Sequence, residues 1–266
     1  MTAARRTAKH LATQTQRRES AAQRALARSA IYQLLSQSLI YPTAEGLNAL
    51  RDADLPAALA WATSLQGKLP ALLEELANDL RAASAPDLQK EYRHVFPHVE
   101  SGDCSSHETA YTVQNIFQET EDLSDLSGFF RAFGLELAER ERSDHISVEL
   151  EFMYVLTYKE AFALLHHTPE KARLCRIVQR KFMEDHLGRW ALHFAELLGV
   201  TADGGYLVSV AGLTKAFLVQ ELALLRARPD AVTGRRLPEA PDPDEFACPL
   251  AQDCPVAEPG GQDELA

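Results

Sequence analysis

The chain has few turn-forming residues and little basic charge. Thirteen glycines and thirteen prolines in 266 residues are too few for the tight turns of an all-β fold. No run of alternating β-branched residues is long enough to propose a sheet. Twenty-seven Lys and Arg stand against 38 Asp and Glu, a formal net charge of −11. That balance argues against general nucleic-acid binding, which needs a basic footprint. Four cysteines, at 104, 175, 248 and 254, form no disulfide framework. No uncharged stretch reaches the ~20 apolar residues of a membrane span. The longest, Ser29 to Ala44, is broken by Gln33, Gln37 and Pro42, and Gly204–Gln220 carries Lys215 and reads as a core helix. Arg5-Arg6 and Arg17-Arg18 lack a following apolar h-region, so neither reads as an export signal, and the expected compartment is the cytoplasm. Phosphate-binding glycine loops and the G-x-S-x-G nucleophile elbow are missing too.

What is present is helical spacing. Leu26, Ala30, Ile31, Leu34, Leu35 and Leu39 recur at helical steps until Tyr41-Pro42 stops them. Amphipathic stretches follow at 55–66, 70–83, 86–95 and 106–120, then a helix from Asp122 to Phe133 with Gly134 as its C-terminal cap. Asp144 to His166 is apolar on more than one face, which predicts a helix buried in the middle of the fold. Thr168-Pro169 reads as N-cap and first turn of the next helix. Gly188 and Gly199 are read as punctuating a pair of helices around Trp190, and a last core helix spans about 206–226. The expected fold is all-α, one domain of about ten helices.

Charge divides the chain into three expected parts. Residues 1–28 hold seven basic side chains and Glu19, a net +6. Residues 229–266 hold nine acids, two arginines and seven of the thirteen prolines, a net −7, and read as a disordered tail. The middle keeps −10. The organisation read from this is a basic arm at 1–24, a helical domain at 25–228 and an acidic tail at 229–266.

One candidate chemistry is metal binding. His94, His98, Cys104, His107 and Glu108 fall within fifteen residues, and zinc takes N and S ligands of this kind. Pro97 interrupts the histidine pair and the spacing matches no zinc motif, so the plainer reading is ordinary loop and helix-end roles. Cys248 and Cys254 in the tail read as exposed thiols. His166-His167 fits the C-terminal end of the central helix, where imidazoles meet the helix dipole favourably, and His186 and His193 read as structural.

The segment Glu141-Arg142-Ser143-Asp144-His145-Ile146, leading into Glu149-Leu150-Glu151-Phe152-Met153, resembles the signature of the TorD/DmsD/NarJ-type redox-enzyme maturation chaperones. That signature is E-x-x-D-H-I before a helix with E-L-x-F-M, usually with proline where this chain has Ser143. Further matches lie at Tyr32-x-Leu34-Leu35-Ser36, Glu91-Tyr92, Ser106-His107-Glu108-Thr109-x-Tyr111, Gly128-Phe129-Phe130-x-x-Phe133-Gly134 and His186-Leu187-x-x-Trp190. The resemblance covers about residues 25–225. It is greatest to the subgroup serving type II DMSO-reductase-like molybdoenzymes, such as ethylbenzene and dimethylsulfide dehydrogenases and selenate or chlorate reductases.

The resemblance implies a cytoplasmic, non-catalytic helical chaperone without a cofactor of its own. Its partner would be the precursor catalytic subunit of a molybdopterin oxidoreductase, bound at the twin-arginine signal until the molybdenum cofactor is inserted. Glu141, Asp144 and His145 carry over as peptide-binding residues, with Glu108, Tyr111 and Phe130 beside them. Carboxylates next to an apolar wall suit two guanidinium groups followed by an apolar run. Asp144 also stands where an N-cap for the central helix belongs, and the two roles are compatible. Monomer and dimer both stay open.

Overall fold

In the computed structural model, the described residues are 2–52, 55–64, 67–97, 104–112, 116–138, 141–202 and 204–232. Among them the chain forms eleven α-helices and no strand: α1 (Thr2–Ser38), α2 (Ala44–Arg51), α3 (Leu55–Thr63), α4 (Leu69–Ala82), α5 (Ala85–Val95), α6 (Thr109–Thr112), α7 (Ile116–Ala132), α8 (Ile146–His166), α9 (Pro169–Asp185), α10 (Leu187–Thr201) and α11 (Tyr206–Leu225). The all-α expectation holds. The acidic tail from residue 233, with Cys248 and Cys254, lies outside the described residues, as does His98.

Helices α1, α8 and α11 make the centre. Helix α1 packs along α8, which also meets α9, while α11 lies against α10 and α4. In α1, Ile31, Leu34 and Leu35 are fully buried, with Leu39 just beyond its end, as the spacing predicts; Leu26 at the start of that stripe is 39% exposed instead, and Tyr32 is buried beside it. One turn earlier Ala22 and Ala25 meet Ala161 of α8, and these small side chains let the two backbones approach closely. Helix α8 buries Ile146, Leu150, Phe152, Met153 and Leu156, so its apolar residues on several faces meet several neighbours. Helix α11 is the core helix expected at the end of the domain. Its twenty residues, with mean hydropathy 1.5, are long and apolar enough to span a membrane by length and composition. Here it is a core helix, with Leu207, Val210, Leu213, Phe217 and Leu218 buried.

A polar hub ties these helices together. Arg28 of α1 is 1% exposed. Its guanidinium donates to Glu221 of α11 at 2.7 and 2.6 Å, to Glu160 of α8 at 3.1 Å and to Gln179 of α9 at 2.7 Å. Tyr32 donates to the same Glu221 at 2.9 Å. Each guanidinium nitrogen meets a carboxylate or amide oxygen, as a charge at this depth requires. Arg18 donates to the Leu164 and His167 carbonyls at the C-terminal end of α8, where a cation is favoured. Two cations counted with the basic arm therefore hold the fold, and α1 runs as one helix from Thr2 through that arm.

Several boundaries differ from expectation. Helix α2 is an addition, too short for its two buried leucines, Leu47 and Leu50, to register as a period. The stretch read as one helix at 106–120 contributes to two, and its second part is continuous with the helix read from Asp122. Gly134 ends α7 as expected: at φ +73° it donates to Arg131 while Leu135 donates to Phe130, a Schellman cap. Gly188 and Gly199 both lie inside α10 rather than between helices. At Gly188 a Cβ would stand 2.3 Å from the Met183 carbonyl oxygen, so the α9–α10 corner admits only glycine.

Candidate functional site

The residues singled out in the sequence gather where α8 begins. The segment before α6 is pinned to that point by backbone bonds from Glu108 N–H to the Asp144 carbonyl at 2.9 Å and from Ile146 N–H to the Ser106 carbonyl at 2.8 Å. His107 and His145 form an isolated antiparallel bridge with ring centroids 5.1 Å apart.

The helix cap falls one residue later than expected. His145, not Asp144, is the N-cap of α8: its Nδ1 accepts from Ser147 N–H at 3.2 Å and lies 2.7 Å from the Ser147 hydroxyl. Burial and the neighbouring His107 push the His145 imidazole down to about 4, so it is neutral at neutral pH and free to accept at Nδ1.

Asp144 is fully buried. Its Oδ1 accepts from Arg142 Nε at 2.9 Å, and its Oδ2 accepts from Arg142 Nη2 at 3.0 Å and from the Thr109 hydroxyl at 2.7 Å. Burial works against the charge, yet the bonds from Arg142 and Thr109 outweigh it and hold the carboxyl below its ordinary range. Arg142 also donates to Glu119 of α7 at 3.0 Å. Thr109 N–H also donates to Oδ2 at 3.4 Å, so the aspartate is engaged by Arg142 and by the start of α6 rather than by the first turn of α8.

Behind this layer lies a chain of ionisable groups. Glu108 is buried, with Oε2 3.1 Å from His186 Nδ1, and His186 Nε2 is 3.2 Å from Asp125. Burial lowers His186, but the carboxylates on both sides raise it above its ordinary value overall. Glu108 itself is raised, burial outweighing the imidazole. Glu149, one turn into α8, accepts from Trp190 Nε1 at 3.3 Å. Burial first and the Glu108 charge second hold it well above the carboxylate range. The Oε1 atoms of Glu108 and Glu149 have no hydrogen-bond partner among the described residues. Tyr111 stacks on Trp190, centroids 5.3 Å apart, and donates to the Ser105 carbonyl at 2.7 Å.

The junction therefore brings Glu108, Tyr111, Asp144 and His145 together, all but His145 buried. Phe130 belongs to an adjoining aromatic cluster, 5.0 Å from Phe152 and 4% exposed, inside the core. Glu141 stands outside on the surface, its Oε2 accepting from Ala138 N–H at 3.3 Å. Arg142, Thr109 and Asp125 were assigned no role in the sequence, whereas of Glu149 and Glu151 one was expected in solvent and one hydrogen-bonded in the core, and Glu149 is the core residue. Among the former, Arg142 alone carried a signal, as the cation two residues before the aspartate. For the metal reading, His94 is exposed on α5, whereas Cys104 is buried with its thiol pushed up to about 12. Among the described residues no group of three or more His, Cys, Asp or Glu is arranged to hold a metal ion.

Fold and junction define an all-helical protein whose signature residues are bonded mainly to one another and organise a loop against a central helix. The chain belongs to the nitrate reductase delta subunit family, which it matches over residues 60–196. It is 29% identical over 174 residues, 63% of this chain and 75% of the other, to the perchlorate reductase assembly chaperone protein of Dechloromonas aromatica (strain RCB). A crystal structure of a protein from Archaeoglobus fulgidus, described as a redox enzyme maturation protein, aligns with a TM-score of 0.45 at 21% identity, covering 72% of this chain and 93% of that one.

Proposed function

We propose that the chain is a cytoplasmic assembly chaperone for the catalytic subunit of a molybdenum oxidoreductase of the type II DMSO-reductase class. It binds the precursor at its twin-arginine signal region and holds it until cofactor insertion, before export. The observation that carries this reading is the likeness to the perchlorate reductase assembly chaperone over 174 residues. The 141–145 motif lies within the matched family region.

The geometry supports a binding role with divided labour. Glu141 faces solvent and is available to a client cation, while Asp144 and His145 shape the loop that carries it. Glu108, Tyr111 and Phe130 support that loop from within. The protein contributes shape and charge rather than a reacting group. The net −10 of residues 29–228 favours encounter with a cationic signal segment, although the basic residues of α1 bring residues 1–228 to −4. The test is affinity capture of the full chain from its native cells with mass spectrometry of what co-elutes. The expected partner is an unprocessed molybdopterin-type catalytic subunit in about equal amount; recovery without such a subunit, under conditions where one is expressed, refutes the proposal.

A further inference from the structure

Most of α8 is enclosed, but one face is not. Tyr158, Phe162 and Leu165, spaced i, i+4 and i+7, are 50%, 46% and 46% exposed. They share one side of the helix, opposite the buried Met153, Leu156 and Glu160. Tyr154 continues the stripe half-buried, its ring 6.4 Å from Tyr158. Seven residues before Tyr158, and so on the same face, stands exposed Glu151. The stripe from Glu151 to Leu165 is about 21 Å long at ~1.5 Å per residue.

Glu151 is not alone at its end. Glu141 lies close enough for its charge to add to burial in raising the Glu151 carboxyl above its ordinary range. Neither carboxylate makes an ion pair among the described residues. Two acids whose charges oppose each other, without an ion-pair partner among the described residues, thus stand at one end of an exposed aromatic stripe. Such an arrangement costs stability in the free protein and is relieved by a ligand with two adjacent cations followed by an apolar run.

We propose that this face of α8 seats a cationic–apolar peptide, its two basic side chains on Glu141 and Glu151 and its apolar run along Tyr158, Phe162 and Leu165. The inference rests on the chaperone reading and gives that reading a surface. Asp144 and His145 then act by presenting the Glu141 loop beside the start of α8. Contact with the peptide falls to residues outside the signature motif.

The test uses the full chain and a fluorescein-labelled synthetic peptide carrying Arg-Arg before an apolar run of about 12 residues, read by anisotropy. A second peptide carries Gln-Gln instead. The wild type is expected to bind the Arg-Arg peptide, more weakly as salt rises. Glu141→Gln with Glu151→Gln should lower that affinity about tenfold and leave the Gln-Gln peptide unaffected. Tyr158→Ser with Phe162→Ser should weaken both peptides about tenfold or more. All four positions are exposed, so unchanged circular dichroism is expected and separates lost contact from lost fold. Binding by the wild type that neither double variant changes overturns this site and leaves the chaperone reading standing. Capture of a precursor that never requires its signal segment overturns the site from the other side. A wild-type dimer that Tyr158→Ser with Phe162→Ser dissociates, with peptide affinity intact, assigns the face to a second copy and refutes the proposal. Loss of binding to anionic vesicles alone, with peptide affinity intact, refutes it equally.

Discussion

Replacing Asp144 by alanine tests how the signature motif works. The substitution removes three short bonds, two from Arg142 and one from Thr109, to a fully buried carboxylate. Hydrogen bonds to a charged group are worth ~1.5–3 kcal/mol each. The Arg142 side chain is 43% exposed, so its share is discounted for solvent screening. The expected loss is about 2–3 kcal/mol, or a Tm lower by about 5–10 °C for a helical body of this size. Asp144→Asn keeps an oxygen for Thr109 and should lose about half as much. Because the folded carboxyl is held below its ordinary value, its contribution is present above the unfolded pKa of ~3.9 and disappears as pH falls through the folded one. The gap between wild type and Asp144→Ala should therefore be constant from about pH 5 to 7 and close below about pH 4. Urea denaturation followed by circular dichroism across that range is the assay. An Asp144→Ala protein as stable as wild type that still loses its client would refute the reasoning, because the carboxylate would then act on the client directly.

Three further outcomes follow from the same geometry. Arg28→Leu leaves Glu221 in the core with only the Tyr32 hydroxyl, while Glu160 keeps Arg176 and Gln179, and should cost about 3–5 kcal/mol by urea denaturation; a cost below about 1 kcal/mol would show that the hub does not hold the bundle. Gly188→Ala forces a methyl against the Met183 carbonyl and should destabilise by about 1–3 kcal/mol, whereas Gly134→Ala, with open space around it, meets only backbone strain and should cost about 1 kcal/mol. Glu149 is raised in the fold, so the native state holds its proton where the unfolded chain has lost it, and stability falls as pH rises past ~4.3. His186, also raised, contributes stability fully present below ~6.5 and lost as pH rises through its folded value. The wild type should therefore be less stable at pH 8 than at pH 5.5, and Glu149→Gln, which keeps an acceptor for Trp190, should shrink that difference; a wild type that gains stability toward pH 8 would contradict both assignments.

Local signals were legible in the sequence and long-range ones were not. The Gly134 cap, the Thr168-Pro169 start and the buried run of α8 each depend on neighbours within a turn or two, and each stands where periodicity put it. The Arg28 hub joins residues 132 to 193 positions apart, so Arg28 looked like one more cation of a basic arm. That Asp144 does not cap α8 has a related reason. Its acceptors are taken by Thr109 and Arg142, and once the aspartate is so engaged the adjoining imidazole takes over the capping role. The metal cluster illustrates the converse. Sequence proximity grouped His94, Cys104 and His107, but His94 faces solvent on α5, Cys104 lies buried against the Phe194 carbonyl and His107 packs on His145. The pair Glu149 and Glu151 divides as expected, one in the core and one in solvent, but that Glu149 is the core residue depends on where α10 packs Trp190.

The central claim is recognition of a client precursor through its signal region. Isothermal titration of the full chain with the purified precursor catalytic subunit, with and without its signal segment, tests it most directly. The account predicts one-to-one binding to the intact precursor, weakened at least about tenfold when the segment is removed. Equal affinity for both forms, or no binding to either, would contradict it.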